Sequence, residues 1–342
     1  MVLILSFEAD YSTVRVIDWL EYFNVPWIRI NGEDIDSTDS QMFFNLDNNN
    51  NSEKIIIDNK EINLKEITVV WMRRIHRWDK QRLAIKNLNN FDNYESCKLH
   101  DFSKSEIFSA YSYLINSIHR VGCKWLDHPS SMQVNKLVVL KTAKSVGLKI
   151  PETIVTNSKS RLRVFVEKFK DVITKPIGET QTFVLEQQMF ALFTSSVTIE
   201  SLKRLPDYFY TSLFQEKISK KYELRIFFID GIFFSMAIFS QDDEKTSTDF
   251  RNYNEGNWNR MVPYEISSIL KDRIKNLMGK LRLRSGSIDL VVDASGDEIF
   301  LEVNPVGQFG MLSSICNFPV EKAIANCLRS DHNKSYIENE GK

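Results

Sequence analysis

Glycine is scarce in this chain, 12 in 342 residues, against a usual share of about 7%. No GxGxxG and no GxxxxGKS/T occurs, so any bound nucleotide is held without a dinucleotide fingerprint or a Walker loop. HExxH and GxSxG are absent as well, which removes the commonest zinc-protease and serine-hydrolase readings. The four cysteines (Cys97, Cys123, Cys316, Cys327) are scattered without a CxxC pair. That spacing supports neither a zinc knuckle nor a disulfide scaffold and points to a reducing, cytoplasmic setting. Charge of one sign is also lacking: 44 Lys+Arg stand against 45 Asp+Glu, so nothing electrostatic recommends nucleic acid or an anionic membrane as partner. No segment approaches the roughly 18 apolar residues of a membrane span. The opening MVLILSFEAD has no basic segment before its short apolar run and reads as a buried strand, not a signal peptide.

What is present is an ordinary globular composition, 43% hydrophobic and 26% charged, long enough for two or three domains. Val2–Phe7 is followed by helical spacing at Val14, Ile17 and Leu20, a stop at Pro26, and an extended Trp27–Ile30. Strand, helix and strand joined this closely predict a parallel βαβ unit. Ile67–Met72 reads as another buried strand, and Ser103-Lys104-Ser105-Glu106 as a capping box opening a helix through about Ile118. A helix is expected over Ser131–Val146, stopped by Gly147, and another over about Lys159–Phe169. From Phe209 onward strands dominate. Asp230-Gly231 predicts a tight hairpin between Glu223–Ile229 and Ile232–Phe239. Ala294-Ser295-Gly296-Asp297 predicts a second, between Ile288–Val292 and Glu298–Val303. Helices at Ile266–Leu281 and Glu321–Leu328 complete the pattern. The expected division is 1–125, 126–208 and 209–342.

Three segments carry candidate chemistry. In Ser287–Gln308, Glu302 and Asn304 share a strand face near the strand end, and Asp289 lies on the hairpin partner. Two carboxylates and an amide oxygen make a hard, all-oxygen donor set of the kind Mg²⁺ takes when it bridges to nucleotide phosphates. In Phe214–Gly231, Glu223 and Arg225 share a face while Leu224 and Ile226 point to the core. The arginine offers a rigid fork to phosphate or carboxylate, and the preceding Gln215-Glu216-Lys217-Ile218 is a hinge whose backbone groups suit an adenine edge. Lys175, after the strand Val172–Thr174, and Lys136, near the start of a helix, are candidate cations. Taken singly, each has a plainer reading: hairpin-edge carboxylates, a cross-strand ion pair, solvated lysines. Taken together they describe a cleft for a triphosphate.

In the order and spacing of these pieces the chain resembles the ATP-grasp ligases over about residues 125–330. The carriers are Lys136, Gly147–Thr153, Thr174-Lys175-Pro176, Gln215–Ile218, Glu223-Leu224-Arg225, Asp289 and Leu301–Pro305. Within that group it resembles the graspetide (microviridin-type) peptide macrocyclases, through Trp71-Met72-Arg73-Arg74, Thr248-Asp249-Phe250-Arg251 and Asn304-Pro305-Val306-Gly307-Gln308. The resemblance implies an α/β and α+β architecture: an ATP-grasp fold behind an N-terminal Rossmann-like, pre-ATP-grasp α/β domain. It implies ATP and Mg²⁺ as cofactors. Lys136 and Lys175 would lie on the phosphates, Glu216, Lys217 and Ile218 on adenine, Glu223 at the ribose, and Asp289, Glu302 and Asn304 on the metal. Arg225 and Arg251 would face the acyl phosphate and the acceptor carboxylate. The partner would be a ribosomal precursor peptide with leader and core, Phe183–Tyr210 being the place to look for a leader groove, and the enzyme would be a homodimer.

The reaction so implied activates an Asp or Glu carboxylate as an acyl phosphate, which a Ser or Thr hydroxyl or a Lys amine of the same peptide then attacks. Two other readings share the same cleft: a ligase adding a free amino acid such as glutamate, and a nucleotide-binding peptide module without turnover. The five histidines are expected to be structural or superficial.

Overall fold

A computed structural model describes residues 1–36, 42–44, 54–57, 60–73, 93–120, 122–132, 134–178, 182–185, 188–191, 194–240 and 259–340. The chain divides into two compact units, Met1–Pro129 with Pro319–Lys342, and Ser130–Phe318.

The first unit runs β1 (Val2–Ser6), α1 (Tyr11–Tyr22), β2 (Trp27–Asn31), α2 (Gly32–Asp36), β3 (Met42–Phe44), β4 (Lys54–Ile57), β5 (Lys60–Asn63), β6 (Val69–Met72), α3 (Asn93–Arg120) and β7 (Lys124–Leu126). Its main sheet has the order β2-β1-β6-β7, and every neighbouring pair is parallel. All five residues of β1 are buried, because a parallel sheet is covered on both faces and its strands need apolar residues on each. One face meets α3 through Tyr111, Leu114 and Ile118, and the antiparallel β3-β4-β5 sheet through Ile55, Ile57 and Ile62.

The second unit runs α4 (Pro129–Met132), α5 (Lys136–Ser145), β8 (Thr153–Ser158), α6 (Lys159–Phe169), β9 (Val172–Lys175), β10 (Thr182–Leu185), β11 (Gln188–Ala191), β12 (Ser195–Val197), α7 (Ile199–Lys203), β13 (Tyr208–Glu216), β14 (Lys220–Ile229), β15 (Ile232–Phe239), β16 (Arg260–Pro263), α8 (Ser268–Leu281), β17 (Ser285–Asp293), β18 (Glu298–Asn304) and α9 (Gly310–Cys316). It holds two larger antiparallel sheets, β12-β9-β13-β8 and β16-β15-β14-β17-β18, and the two-stranded antiparallel β10-β11. The first packs Ile154, Val172 and Phe214 against Leu162, Phe165 and Val166 of α6. The second packs Leu224, Ile226, Ile288, Leu290 and Phe300 against Leu140 and Ala143 of α5 and Ile274 and Leu277 of α8. Segment 149–153 joins the two sheets. Phe300 N donates to Lys149 O at 2.8 Å, and three residues on Glu216 N donates to Glu152 O at 3.0 Å. The chain then returns to the first unit as α10 (Val320–Glu340), which packs on α1, β6 and β7.

Both expected hairpins form. Asp230 (φ 46°) and Gly231 (φ 92°) are both left-handed, as a two-residue turn between twisted strands demands. Two helix boundaries differ from expectation. α3 begins at Asn93, so the Ser103–Glu106 sequence lies inside a helix and caps nothing; the capping pattern is a local signal that a longer helix overrides. The helix expected over 131–146 is two helices. Asn135 interrupts it and caps α5, its side chain accepting from Leu137 N and Val138 N.

Candidate nucleotide and metal site

The five-stranded sheet has one face toward the α5/α8 core and a second face without those helices. On β14 and β17 simple alternation sorts the residues: Leu224, Ile226, Ile288 and Leu290 go to the core, Glu223, Arg225, Ser287 and Asp289 to the other face. On β18 alternation fails. Phe300 and Val303 are both in the core, three apart, because the register shifts between Asp289 and Leu290, whose partners are Glu302 and Phe300. Leu301 is the extra residue of a β-bulge. Regular pairing from Phe300 would set Glu302 against Ile288, on the core side; the bulge instead sets it directly against Asp289. Arg225 is opposite Asp289 on the other flank. Arg225, Asp289 and Glu302 therefore form one row across three strands.

Within that row Arg225 Nη1 lies 3.4 and 3.5 Å from the two Asp289 carboxylate oxygens. Both side chains are largely buried, so their charges interact in a medium of low polarity. Next along β14, the buried Glu223 accepts at Oε1 from Lys220 Nζ at 2.5 Å and from Ser240 Oγ at 2.7 Å. Lys220 is itself buried, with a side chain 6% exposed. Sequence reading passed over both partners. The irregular register between Lys220 and Tyr222 turns Lys220 inward, and Ser240 comes from the far side of the β14–β15 hairpin.

Asn304 ends β18 opposite Ser287. Beyond it the chain folds back over the strand end: Gly307 N donates to Asn304 O at 3.0 Å, and Ser287 Oγ donates to Gln308 O at 3.0 Å. A β-carbon on Gly307 would stand 2.2 Å from Ser287 Cβ, so only glycine permits this approach. Phe309, 1% exposed, packs its ring at a tilt of 53° against Phe227, 5.2 Å between centroids, and pins the end of the loop to the same sheet face.

On the other sheet, Lys136 Nζ donates to Pro176 O at 3.0 Å and Gly178 O at 2.9 Å, holding the turn that follows Lys175. Lys175 is opposite Leu213, and Ile173 opposite Gln215. These four share the face turned away from α6. In the hinge, the Glu216 carboxylate accepts from Glu152 N at 3.1 Å, and Lys217 N donates to Asp171 O at 2.8 Å. Among the described residues the Ile218 N–H is bonded to nothing. The structure thus gathers Lys136 with the turn after Lys175, Gln215 with Glu216–Ile218, and Arg225 with Asp289, Glu302 and Asn304. Arg251 lies outside the described residues, as do Thr248–Phe250, Arg74 and His76.

Among the described residues no group of three or more His, Cys, Asp or Glu side chains is placed to cage a metal. Two opposed carboxylates and a neighbouring amide fit a different chemistry. They suit a magnesium ion that keeps most of its coordination for phosphate oxygens and water.

Residues 1–132 match the family model of the MvdD pre-ATP-grasp domain. Over its length the chain is similar, with a TM-score of 0.79 and 27% identity, to the macrocyclase MdnC from Microcystis aeruginosa MRC, solved with its precursor peptide MdnA; the match covers 96% of this chain and 99% of that one. The fold is the ATP-grasp fold behind a pre-ATP-grasp domain. The same fold recurs in a RiPP-associated ATP-grasp ligase from Chryseobacterium gregarium, in complex with ADP and a leader and core peptide (TM-score 0.82, 24% identity, 96% of each chain). It recurs also in the ATP-grasp ligase PsnB with a minimal-precursor variant, Mg and ADP (TM-score 0.71, 18% identity, 96% and 98%). No curated protein matches the chain.

His119, His128 and His332 belong to the first unit, whereas the candidate site is built within the second. His332 Nδ1 is 2.6 Å from Thr68 Oγ1, and the rings of His119 and His128 meet edge to face at 4.9 Å. Cys123 and Cys316 are free thiols, and burial pushes the Cys123 thiol up to about 11. No described helix is long and apolar enough to cross a membrane.

Proposed function

We propose that this chain is an ATP-dependent peptide macrocyclase. It would join Asp or Glu side chains of a ribosomal precursor peptide to Ser or Thr hydroxyls, or to Lys amines, of the same peptide. The observation that carries the reading is the Arg225–Asp289–Glu302 row, closed at its end by the Asn304–Gln308 loop, in a chain similar end to end to the macrocyclase MdnC.

The chemistry follows from charge. A carboxylate is a poor electrophile, so its oxygen first attacks the γ-phosphorus of ATP, and ADP leaves. The hydroxyl or amine then attacks the carbonyl carbon of the acyl phosphate. Phosphate departs, the attacking group loses its proton, and an ester or amide remains. No covalent enzyme intermediate is needed; the protein's part is to position groups and stabilise spread negative charge. Asp289, Glu302 and Asn304 would hold the magnesium ion, which offsets charge on the phosphates. Lys136 and Lys175 would lie on the phosphates, Glu216–Ile218 on the adenine and Glu223 at the ribose. Arg225 would meet the acyl phosphate, and the role proposed for Arg251 is the acceptor carboxylate. Tyr208 and Tyr210, strongly exposed on β13, suit an apolar face of the leader. Free cysteines suit a reducing cytoplasm.

The test is incubation with ATP, Mg²⁺ and the short peptide encoded beside the gene. Loss of one water per link, read by mass spectrometry, is the expected result. Gain of an amino-acid residue when free glutamate is supplied would favour the glutamate-type ligase. An unchanged peptide with nucleotide bound would favour a recognition module.

A further inference from the structure

We infer that the groove between α5 and α8 binds a small anion carrying a phosphate group. The two helices lie on the core side of the five-stranded sheet, whereas the Arg225–Asp289–Glu302 row is on its other side. This is a second site, and it does not depend on the reading of the first.

Charge is segregated here. The chain as a whole balances 44 Lys+Arg against 45 Asp+Glu. Yet α5 carries Lys136, Lys141 and Lys144 with no acid, and α8 carries Lys271, Arg273, Lys275 and Lys280 against Asp272 alone. Between the helices an open cavity of about 430 Å³ is lined by Ser145 and Val146 at the end of α5 and by Lys275, Asn276, Gly279 and Lys280 of α8. No carboxylate is among these residues. Lys280 Nζ donates to Ser145 Oγ at 3.1 Å. The serine hydrogen goes to Thr142 O at 2.7 Å, so toward Lys280 the hydroxyl only accepts. That bond fixes the Lys280 ammonium at the rim and uses one of its three hydrogens. Lys275 Nζ stands 5.9 Å from the centre of the Phe233 ring, a cation–π contact that places the second ammonium. Two placed ammonium groups and the Asn276 amide suit a phosphate dianion, which lysine binds as a point charge.

Gly279 gives an independent sign of an occupant. Glycine inside a helix destabilises it relative to alanine, and nothing crowds this one: a β-carbon there would meet no atom within 4 Å. Packing therefore does not require glycine. Its bare backbone leaves the floor of the cavity open, a sacrifice of stability of the kind that functional sites retain. The space is larger than inorganic phosphate fills and falls within the range of small-molecule pockets, so a phosphomonoester with a body of sugar size fits it better than the free ion.

The test is calorimetric titration of glucose 6-phosphate and of inorganic phosphate at low ionic strength, with and without ADP and Mg²⁺. Glucose 6-phosphate should bind the wild type, and ADP should leave its affinity unchanged. Tighter binding of glucose 6-phosphate than of inorganic phosphate would assign the site to a phosphomonoester, and equal affinities would assign it to the free ion. Lys275→Met with Lys280→Met should weaken binding about tenfold or more. Gly279→Leu keeps every charge but fills the floor of the cavity, and should weaken binding as much. Lys141→Met with Arg161→Met removes the same charge from exposed positions outside the cavity lining and should change affinity by less than about twofold. No binding of either phosphate overturns the inference, as does binding that ADP abolishes, which would put the anion in the nucleotide site. Equal weakening in the two double variants would reduce the effect to diffuse surface charge and overturn it too. So would unaltered affinity in Gly279→Leu, since the cavity would then play no part.

Discussion

Gly307→Ala is the smallest perturbation with a large expected effect. The added methyl would stand 2.2 Å from both Cβ and Oγ of Ser287 and 2.8 Å from its backbone nitrogen. Rotation of the serine side chain relieves neither the Cβ nor the nitrogen contact, so the Asn304–Gln308 loop has to lift from the end of β17. Overpacking of this kind costs about 1–3 kcal/mol. For a unit spanning Ser130–Phe318 that corresponds to a fall in Tm of roughly 2 to 12 °C. The displaced loop carries Asn304, so Mg²⁺-dependent nucleotide affinity should fall with it. Gly279→Ala is the matched control. A β-carbon there meets nothing within 4 Å, and alanine inside α8 should raise stability by about 0.5–1 kcal/mol. Thermal unfolding of the two variants beside the wild type, followed by nucleotide titration, gives both readouts. Equal melting temperatures and equal affinity for Gly307→Ala would refute the packing argument and the loop's role in holding Asn304.

Other expectations follow from buried charge. Lys220→Met removes the cation from a buried pair at 2.5 Å whose side chains are 6% and 10% exposed, and should cost about 3–5 kcal/mol in denaturant unfolding. Adding Glu223→Gln should recover part of that loss, and full stability in the single variant would contradict the pairing. For pH, burial holds His332 and His128 below their ordinary value of 6.5, with the N-terminal charge and His119 respectively adding to the effect. The folded chain therefore resists protons that the unfolded chain takes up as pH falls through about 6.5, so the stability these two histidines allow should decline on acidification from pH ~7. His128→Asn with His332→Asn should flatten that part of the profile; an unaltered slope would assign it to other groups.

Much of this was legible because it is local. The apolar run of β1, the Asp230-Gly231 turn and the stop at Gly147 each follow from a few adjacent residues and the backbone geometry they allow. The sharing of one face by Glu223 and Arg225 follows from period-two alternation. The bulge at Leu301 could not be read that way. Alternation counted from Phe300 buries Glu302, and only pairing with β17 shows which residue is extra. Lys220 and Ser240 escaped notice for a related reason: their bond to Glu223 depends on an irregular register and a hairpin return. The packing of α10 on α1 is set by residues some three hundred positions apart, which no local pattern encodes.

The central claim is that Asp289 and Glu302, brought face to face by the bulge, hold magnesium against the phosphates of ATP. Calorimetric titration of ATP with and without Mg²⁺ tests it most directly. Binding should require the metal in the wild type and be lost in Glu302→Gln and Asp289→Asn, both judged folded by their circular dichroism. ATP bound equally well without magnesium, or undiminished in both variants, would contradict the account.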